Sequence, residues 1–127
     1  MNKYAVLVAG GSGSRMGSSL PKQFLHLHGK PILLHTLSAF KEAFENVHIL
    51  LVLPEAYIDY TREILEQNNF IHPVTFVIGG ETRFHSVQNG LKQITEEGIV
   101  FVHDAVRCMV TPNLIRRCYE QAVERGS

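Results

Sequence analysis

The sequence predicts an α/β fold: an open parallel sheet in a three-layer α/β/α arrangement, with helices on both of its faces. Three observations carry this. Four short apolar runs alternate with four stretches whose apolar residues recur at helical spacing, in the order βαβαβαβα. The runs are apolar throughout rather than alternating, as strands covered on both faces are. The first run breaks directly into a glycine cluster, the place where a parallel sheet commonly presents backbone to a ligand.

The elements follow in order. Tyr4–Val8 is the first strand, and Gly10–Gly17 holds four glycines and two serines in eight positions. Leu27-His28-Gly29-Lys30-Pro31 reads as a turn, with Pro31 suited to the first turn of a helix. Leu33, Leu37, Phe40 and Phe44 then form the stripe of a helix lying on a core. His48–Leu53 is the second strand, closed by Pro54, and Glu55–Asn68 is a helix with Ile58 and Leu65 inward. Thr75–Ile78 is the third strand and ends at Gly79-Gly80. Phe84, Val87, Leu91 and Ile94 mark the inward face of a third helix, which Gly98 breaks. Ile99–Val102 is the fourth strand and runs into His103-Asp104-Ala105. Thr111-Pro112 caps a last helix with Leu114, Ile115, Cys118, Ala122 and Val123 as its apolar face. No repeat, low-complexity tract or linker interrupts the pattern. A sheet ending on so apolar a fourth strand exposes an aggregation-prone edge, so the expectation is the N-terminal part of a larger α/β domain.

Composition narrows the function. Hydrophobic content of 45% and charged content of 19% over 127 residues are those of an ordinary globular domain. Twelve basic residues balance twelve acidic ones, which argues against bulk binding of nucleic acid or anionic membrane. The balance is not local. No Asp or Glu precedes Glu42, while Lys3, Arg15, Lys22, Lys30 and Lys41 all lie in that opening segment. Seven histidines are scattered without the spacing of a zinc site. Cys108 and Cys118 are too few for a disulfide framework and read as free, buried, structural thiols in a reducing compartment. No run approaches the ~20 apolar residues of a membrane span, the start is too short for a signal segment, and a cytoplasmic location is expected.

Glycines permit close backbone approach and inward-turned N–H groups, an anion nest. Here they flank Arg15 in an acid-free neighbourhood, and the ligand this fits is phosphate. Two common phosphate motifs fail. A dinucleotide fingerprint starting at Gly11 needs glycine where Met16 stands, and a Walker A loop needs a lysine that Met16-Gly17-Ser18 does not offer.

What stands is Ala9-Gly10-Gly11-x-Gly13-x-Arg15-Met16-Gly17 followed by Pro21-Lys22-Gln23-Phe24. It resembles the signature of nucleotidyltransferases that join a nucleoside triphosphate to a sugar or polyol phosphate. Pro-Lys-Gln-Phe narrows the resemblance to cytidylyltransferases. Gly79-Gly80-Glu81-Thr82-Arg83, Ser86-Val87 and His103-Asp104-Ala105-Val106-Arg107 narrow it again. The whole chain is similar to roughly the first half of the 2-C-methyl-D-erythritol 4-phosphate cytidylyltransferases. Residues 1–127 are then the nucleotide-binding part of a nucleotidyltransferase domain. The resemblance implies a Rossmann-like sheet of strand order 3-2-1-4, counting along the chain, with a ligand crevice between strands one and four.

The implied chemistry is transfer of CMP from CTP to methylerythritol phosphate, with release of pyrophosphate, in non-mevalonate isoprenoid synthesis. The attacking phosphate monoester is already anionic near neutral pH, its second pKa being about 6, so no general base is needed. Catalysis becomes positioning and charge neutralisation. By resemblance, Arg15 and Lys22 are the catalytic cations on the triphosphate, and Asp104 serves Mg²⁺. Substrate contacts fall to Ala9, Gly10, Gly11 and Gly13 on the first loop and to Gly80, Glu81, Arg83 and Ser86 around the third helix. Ala105 and Arg107 complete the set, Arg107 beside the acceptor. A homodimer is implied for the full-length protein. Glu81 stands where aspartate is common in the family, and Cys108 where proline is usual.

Other readings stand beside these. Asp104 either serves a metal or caps the turn toward the next helix. Arg107 either meets the acceptor or is a surface charge, and Glu81 and Ser86 either frame the base or are first-turn helix residues. His103 is expected to pack and orient its turn. The alternative functions are a ribitol or other polyol phosphate cytidylyltransferase and a non-catalytic nucleotide-binding fragment.

Overall fold

The computed structural model describes residues 2–9, 24, 26–27, 29–105 and 110–125. Its sheet is built from β1 (Asn2–Val8), β4 (His48–Leu53), β5 (Val74–Ile78) and β6 (Gly98–Asp104). The order across the sheet is β5-β4-β1-β6, and every pairing is parallel. This is the expected 3-2-1-4 order. A ribbon not expected from the sequence, β2 (His26–Leu27) with β3 (Lys30–Pro31), precedes α1 (Ile32–Ala43). Pro31 closes that ribbon and forms the N-cap of α1 rather than lying inside the helix. A cap contributes no N–H to the helix, so proline's missing donor costs nothing there.

The remaining helices are α2 (Ile58–Gln67), entered through a 3-10 turn at Glu55–Tyr57, α3 (Arg83–Leu91) and α4 (Pro112–Arg125). Side chains alternate across a strand, and the core divides accordingly. Ala5, Leu7, Ile49, Leu51 and Leu53 pack with Leu33, Leu37 and Phe40 of α1, Ile64 and Leu65 of α2 and Ile115 of α4. Tyr4, Val6, Val8, Leu50, Val52 and Val77 occupy the opposite face with Val87 of α3. The α1 and α2 crossovers therefore lie on one face and the α3 crossover on the other. The direction of winding reverses between β1 and β6, which is the geometry of a topological switch point.

Two helix faces differ from the expectation. On α3 the buried positions are Ser86 and Gly90, while Phe84 is 67% and Leu91 41% exposed. The helix lies so close to the sheet that only small residues fit beneath it: a Cβ on Gly90 would come within 2.7 Å of Val6 Cγ1. On α4 Ile115 is buried, but Leu114, Val123 and Cys118 are exposed. Cys118 is thus a surface thiol and not a core residue, and Cys108 lies outside the described residues. The amino-terminal part of α4 is instead held by polar contacts. Arg116 donates from Nη2 to Glu42 O (2.7 Å) and from Nε to Ala43 O (3.2 Å). A cation there satisfies terminal carbonyls of α1 and complements the helix dipole.

Phe44 ends α1 in an extended conformation instead of continuing the helix, and still packs against the core. At the amino-terminal edge of the sheet, Lys3 Nζ lies 5.2 Å from the Phe44 ring centroid and 5.0 Å from that of Tyr119. These cation–π contacts join β1, the end of α1 and α4.

Candidate functional site

The carboxyl ends of the four strands share one edge, and the first residue beyond three of them is tied to a neighbour. Ala9 N–H donates to Val52 O (2.9 Å), Gly79 N–H to Leu53 O (2.7 Å) and Ala105 N–H to Val8 O (2.9 Å). The ladder thus continues one step past β1, β5 and β6, and it rigidifies the backbone from which the loops depart. Val8 and Asp104 are register partners. Asp104 therefore shares the face of the sheet that carries α3, on the strand beside the start of the glycine loop. The side chain is half-buried.

The β5–α3 junction is built to expose backbone. Thr82 is the N-cap of α3, in an extended conformation, with its Oγ1 accepting from His85 N–H at 3.1 Å. Gly80 passes directly over that first turn, where a Cβ would lie 2.5 Å from His85 Cβ. Gly80 N–H donates to Ser86 Oγ at 3.0 Å, and Ser86 is 5% exposed. Asn89 Nδ2 donates to Ile78 O at 3.1 Å. Ser86 and Asn89, one turn apart on α3, thus clip down the two ends of the Ile78–Gly80 exit. Glu81 and Arg83 are exposed on either side of the cap. Glu81 precedes the N-cap, so it is not a first-turn helix residue.

Of the residues singled out in the sequence, Ala9, Gly80, Glu81, Arg83, Ser86, Asp104 and Ala105 are placed at this edge. Ala9 and Ala105 are fully buried. Gly10, Gly11, Gly13, Arg15, Lys22 and Arg107 lie outside the described residues. Phe24, two residues after Lys22, is 1% exposed and packs on Tyr57 and Tyr60, ring centroids 5.5 and 4.9 Å away.

Four of the described histidines take structural partners. His103 packs on Phe40 at 5.8 Å, as expected, and His48 stacks on Tyr4 at 5.2 Å. His35 Nε2 lies 2.6 Å from Leu27 O and His72 Nε2 2.8 Å from Val47 O. A carbonyl only accepts, so each Nε2 carries the proton and donates. No group of three or more His, Cys, Asp or Glu that could hold a metal occurs among the described residues. None of their helices is long and apolar enough to cross a membrane.

Two residues here, Asn89 and Thr36, were not marked by the sequence. Thr36, fully buried on α1, donates from Oγ1 to Ala105 O at 2.9 Å. The signal was available: a hydroxyl stands on the otherwise apolar core side of a helix, and a buried hydroxyl needs a partner. Its identity, 69 residues away, was not available.

Comparison with known proteins agrees with this arrangement. The family profile for 2-C-methyl-D-erythritol 4-phosphate cytidylyltransferase matches residues 4–126. Curated enzymes of that name from Bacteroides thetaiotaomicron and Bacteroides fragilis are 50% and 49% identical to the chain. The alignments cover 96% and 98% of this chain but 56% and 57% of those proteins. The crystal structure of 4-diphosphocytidyl-2C-methyl-D-erythritol synthase from Anaerococcus prevotii superposes with a TM-score of 0.77 at 27% identity. It covers 94% of this chain and 50% of that one. The chain thus spans a little over half the length of the curated relatives it matches. Signature motifs, strand order, the switch point between β1 and β6 and sequence identity converge: the chain belongs to the 2-C-methyl-D-erythritol 4-phosphate cytidylyltransferase family.

Proposed function

We propose that this chain forms the nucleotide-binding part of a cytidylyltransferase that transfers CMP from CTP to 2-C-methyl-D-erythritol 4-phosphate and releases pyrophosphate. The observation that carries the reading is the pairing of Val8 with Asp104. It sets a carboxylate on the strand next to the one that leads into the cationic glycine loop.

A Mg²⁺–triphosphate fits the donor set. Mg²⁺ keeps waters and takes one or two carboxylates plus phosphate oxygens rather than an all-protein cage. A single strand-end carboxylate, Asp104, matches that demand where a cluster of ligands would not. When bound, the ion supplies charge neutralisation on the triphosphate oxygens. The chain's own residues do the rest. Arg15 and Lys22 bring positive charge to the α-phosphorus as the acceptor oxygen attacks and pyrophosphate departs. Gly10, Gly11 and Gly13 offer backbone N–H groups to phosphate, while Ala9, whose own N–H is taken by Val52 O, contributes to the backbone that frames the nucleoside. Gly80, Glu81, Arg83 and Ser86 frame the nucleoside, with Ser86 already engaged by Gly80 N–H. Ala105 and Arg107 extend the Asp104 lip toward the acceptor phosphate. In this reading the full-length protein is a cytoplasmic homodimer acting on small phosphorylated substrates and not on nucleic acid.

The full-length protein, supplied with CTP, Mg²⁺ and methylerythritol phosphate, is expected to release pyrophosphate. Arg15→Ala is expected to lower the rate by ~10²–10³, the cost of removing one charge-stabilising donor. Normal turnover by that variant would sink the mechanism. A panel containing ribitol 5-phosphate and other polyol phosphates tests the acceptor, and preference for one of those would replace methylerythritol phosphate in the assignment.

A further inference from the structure

The chain has two fully buried helical threonines, and they spend their hydroxyls differently. Thr61 Oγ1 donates to Tyr57 O at 2.7 Å, four residues back on the same turn. This is the usual outlet for a threonine within a helix. Thr36 forgoes that local carbonyl and donates across the molecule to Ala105 O at 2.9 Å. Ala105 is thereby held at both of its backbone groups, its N–H by Val8 O of β1 and its C=O by α1. It is also fully buried, so no water shell substitutes for either contact. Asp104 is the residue immediately before it and the last of β6. His103, two residues before Ala105, rests on Phe40, one turn along α1 from Thr36. The Asp104 lip is thus fastened from α1, and its place beside the end of β1 does not depend on the β1–β6 ladder alone.

We propose that Thr36 is a positioning residue: its buried hydroxyl, through the Ala105 carbonyl, sets where the Asp104 carboxylate stands relative to the carboxyl end of β1, and so tunes use of Mg²⁺–CTP. This rests on the cytidylyltransferase reading for its last clause only. The hydroxyl acts through Ala105 and does not touch substrate.

The test compares full-length wild type, T36V and T36S. Valine keeps the shape of threonine and removes the donor, whereas serine keeps the donor and removes a methyl. Amide hydrogen exchange is followed at Ala105 without ligand, alongside steady-state kinetics with varied Mg²⁺–CTP and varied acceptor. In T36V the Ala105 amide is expected to exchange at least tenfold faster. The KM for Mg²⁺–CTP should rise about tenfold, with the acceptor KM within twofold of wild type. T36S should restore both quantities to within about threefold. Equal behaviour of T36V and wild type in exchange and KM overturns the proposal. So does failure of T36S to rescue, which would assign the effect to methyl packing. If T36V does not fold, T36A carries the same comparison with serine. If the wild type turns over no CTP, the cytidylyltransferase reading fails separately, and the exchange comparison decides whether Thr36 holds the turn.

Discussion

At Gly80 there is no room for a side chain, because a Cβ would fall 2.5 Å from His85 Cβ in the first turn of α3. The obstructing atom belongs to a helix and cannot swing away, so any substituted residue must lift off the turn. The loop would then lose the bond from its N–H to Ser86 Oγ. Gly80→Ala is expected to lower kcat/KM for CTP by ~10–100-fold, the scale of a misplacement near 1 Å in a site that works by positioning. Steady-state kinetics on the full-length protein checks this, and an unchanged kcat/KM would remove Gly80 from the site. Thr82, two residues on, separates stability from positioning. Thr82→Ala deletes the cap on His85 N–H and should cost about 1 kcal/mol, read from the urea midpoint. At this scale much was legible. Gly80, Ser86 and Asp104 were marked by their motifs, whereas Thr36 and Asn89 were not, because their partners are set by distant backbone.

The helix α3 shows what periodicity misses. Spacing alone pointed to Phe84 and Leu91 as inward, yet both are exposed and the helix rests on Ser86 and Gly90. Large residues mark a core-facing stripe only when the helix stands at ordinary distance. Here Gly90 admits Val6 and Val52 to contact, with a Cβ placed 2.7 Å and 3.1 Å from their methyls. Both valines are buried in strands and their β-branched side chains are stiff at χ1. Gly90→Ala would gain about 1 kcal/mol of helix propensity against ~1–3 kcal/mol of overpacking. A net loss of about 1 kcal/mol is expected from these two terms, and a larger one for Gly90→Val. Chemical denaturation resolves it, and a stabilised Gly90→Ala would show that the helix can back away freely. The same close approach brings Ser86 to the Gly80 loop, so packing and site are one arrangement.

For the molecule as a whole, the order β5-β4-β1-β6 puts the reversal of winding between β1 and β6, and the candidate site follows from that reversal. The order also leaves β6 pairing only with β1 among the described strands. Val100 is 37% and Val102 44% exposed. An apolar strand that pairs with a neighbour on one side is a template for association. Residues 1–127 prepared alone are therefore expected to self-associate, and Val102→Lys to reduce that association. Light scattering across a concentration series checks this, and equal scattering by both proteins would count against β6 as the cause.

The sequence by itself determined the alternation of strands and helices, the glycine loop with its acid-free surroundings, and the motifs that identify the family. These are local properties, written in spacing and composition, and they survive without knowledge of neighbours. Tertiary structure alone decided that Ser86 and Gly90, rather than Phe84 and Leu91, face the sheet. It alone brought Thr36 to the Ala105 carbonyl and turned Cys118 to the surface. Each of those depends on how closely two elements approach and on which carbonyl lies opposite which donor. Such quantities are fixed by packing between residues far apart in the chain, and no window of sequence contains them.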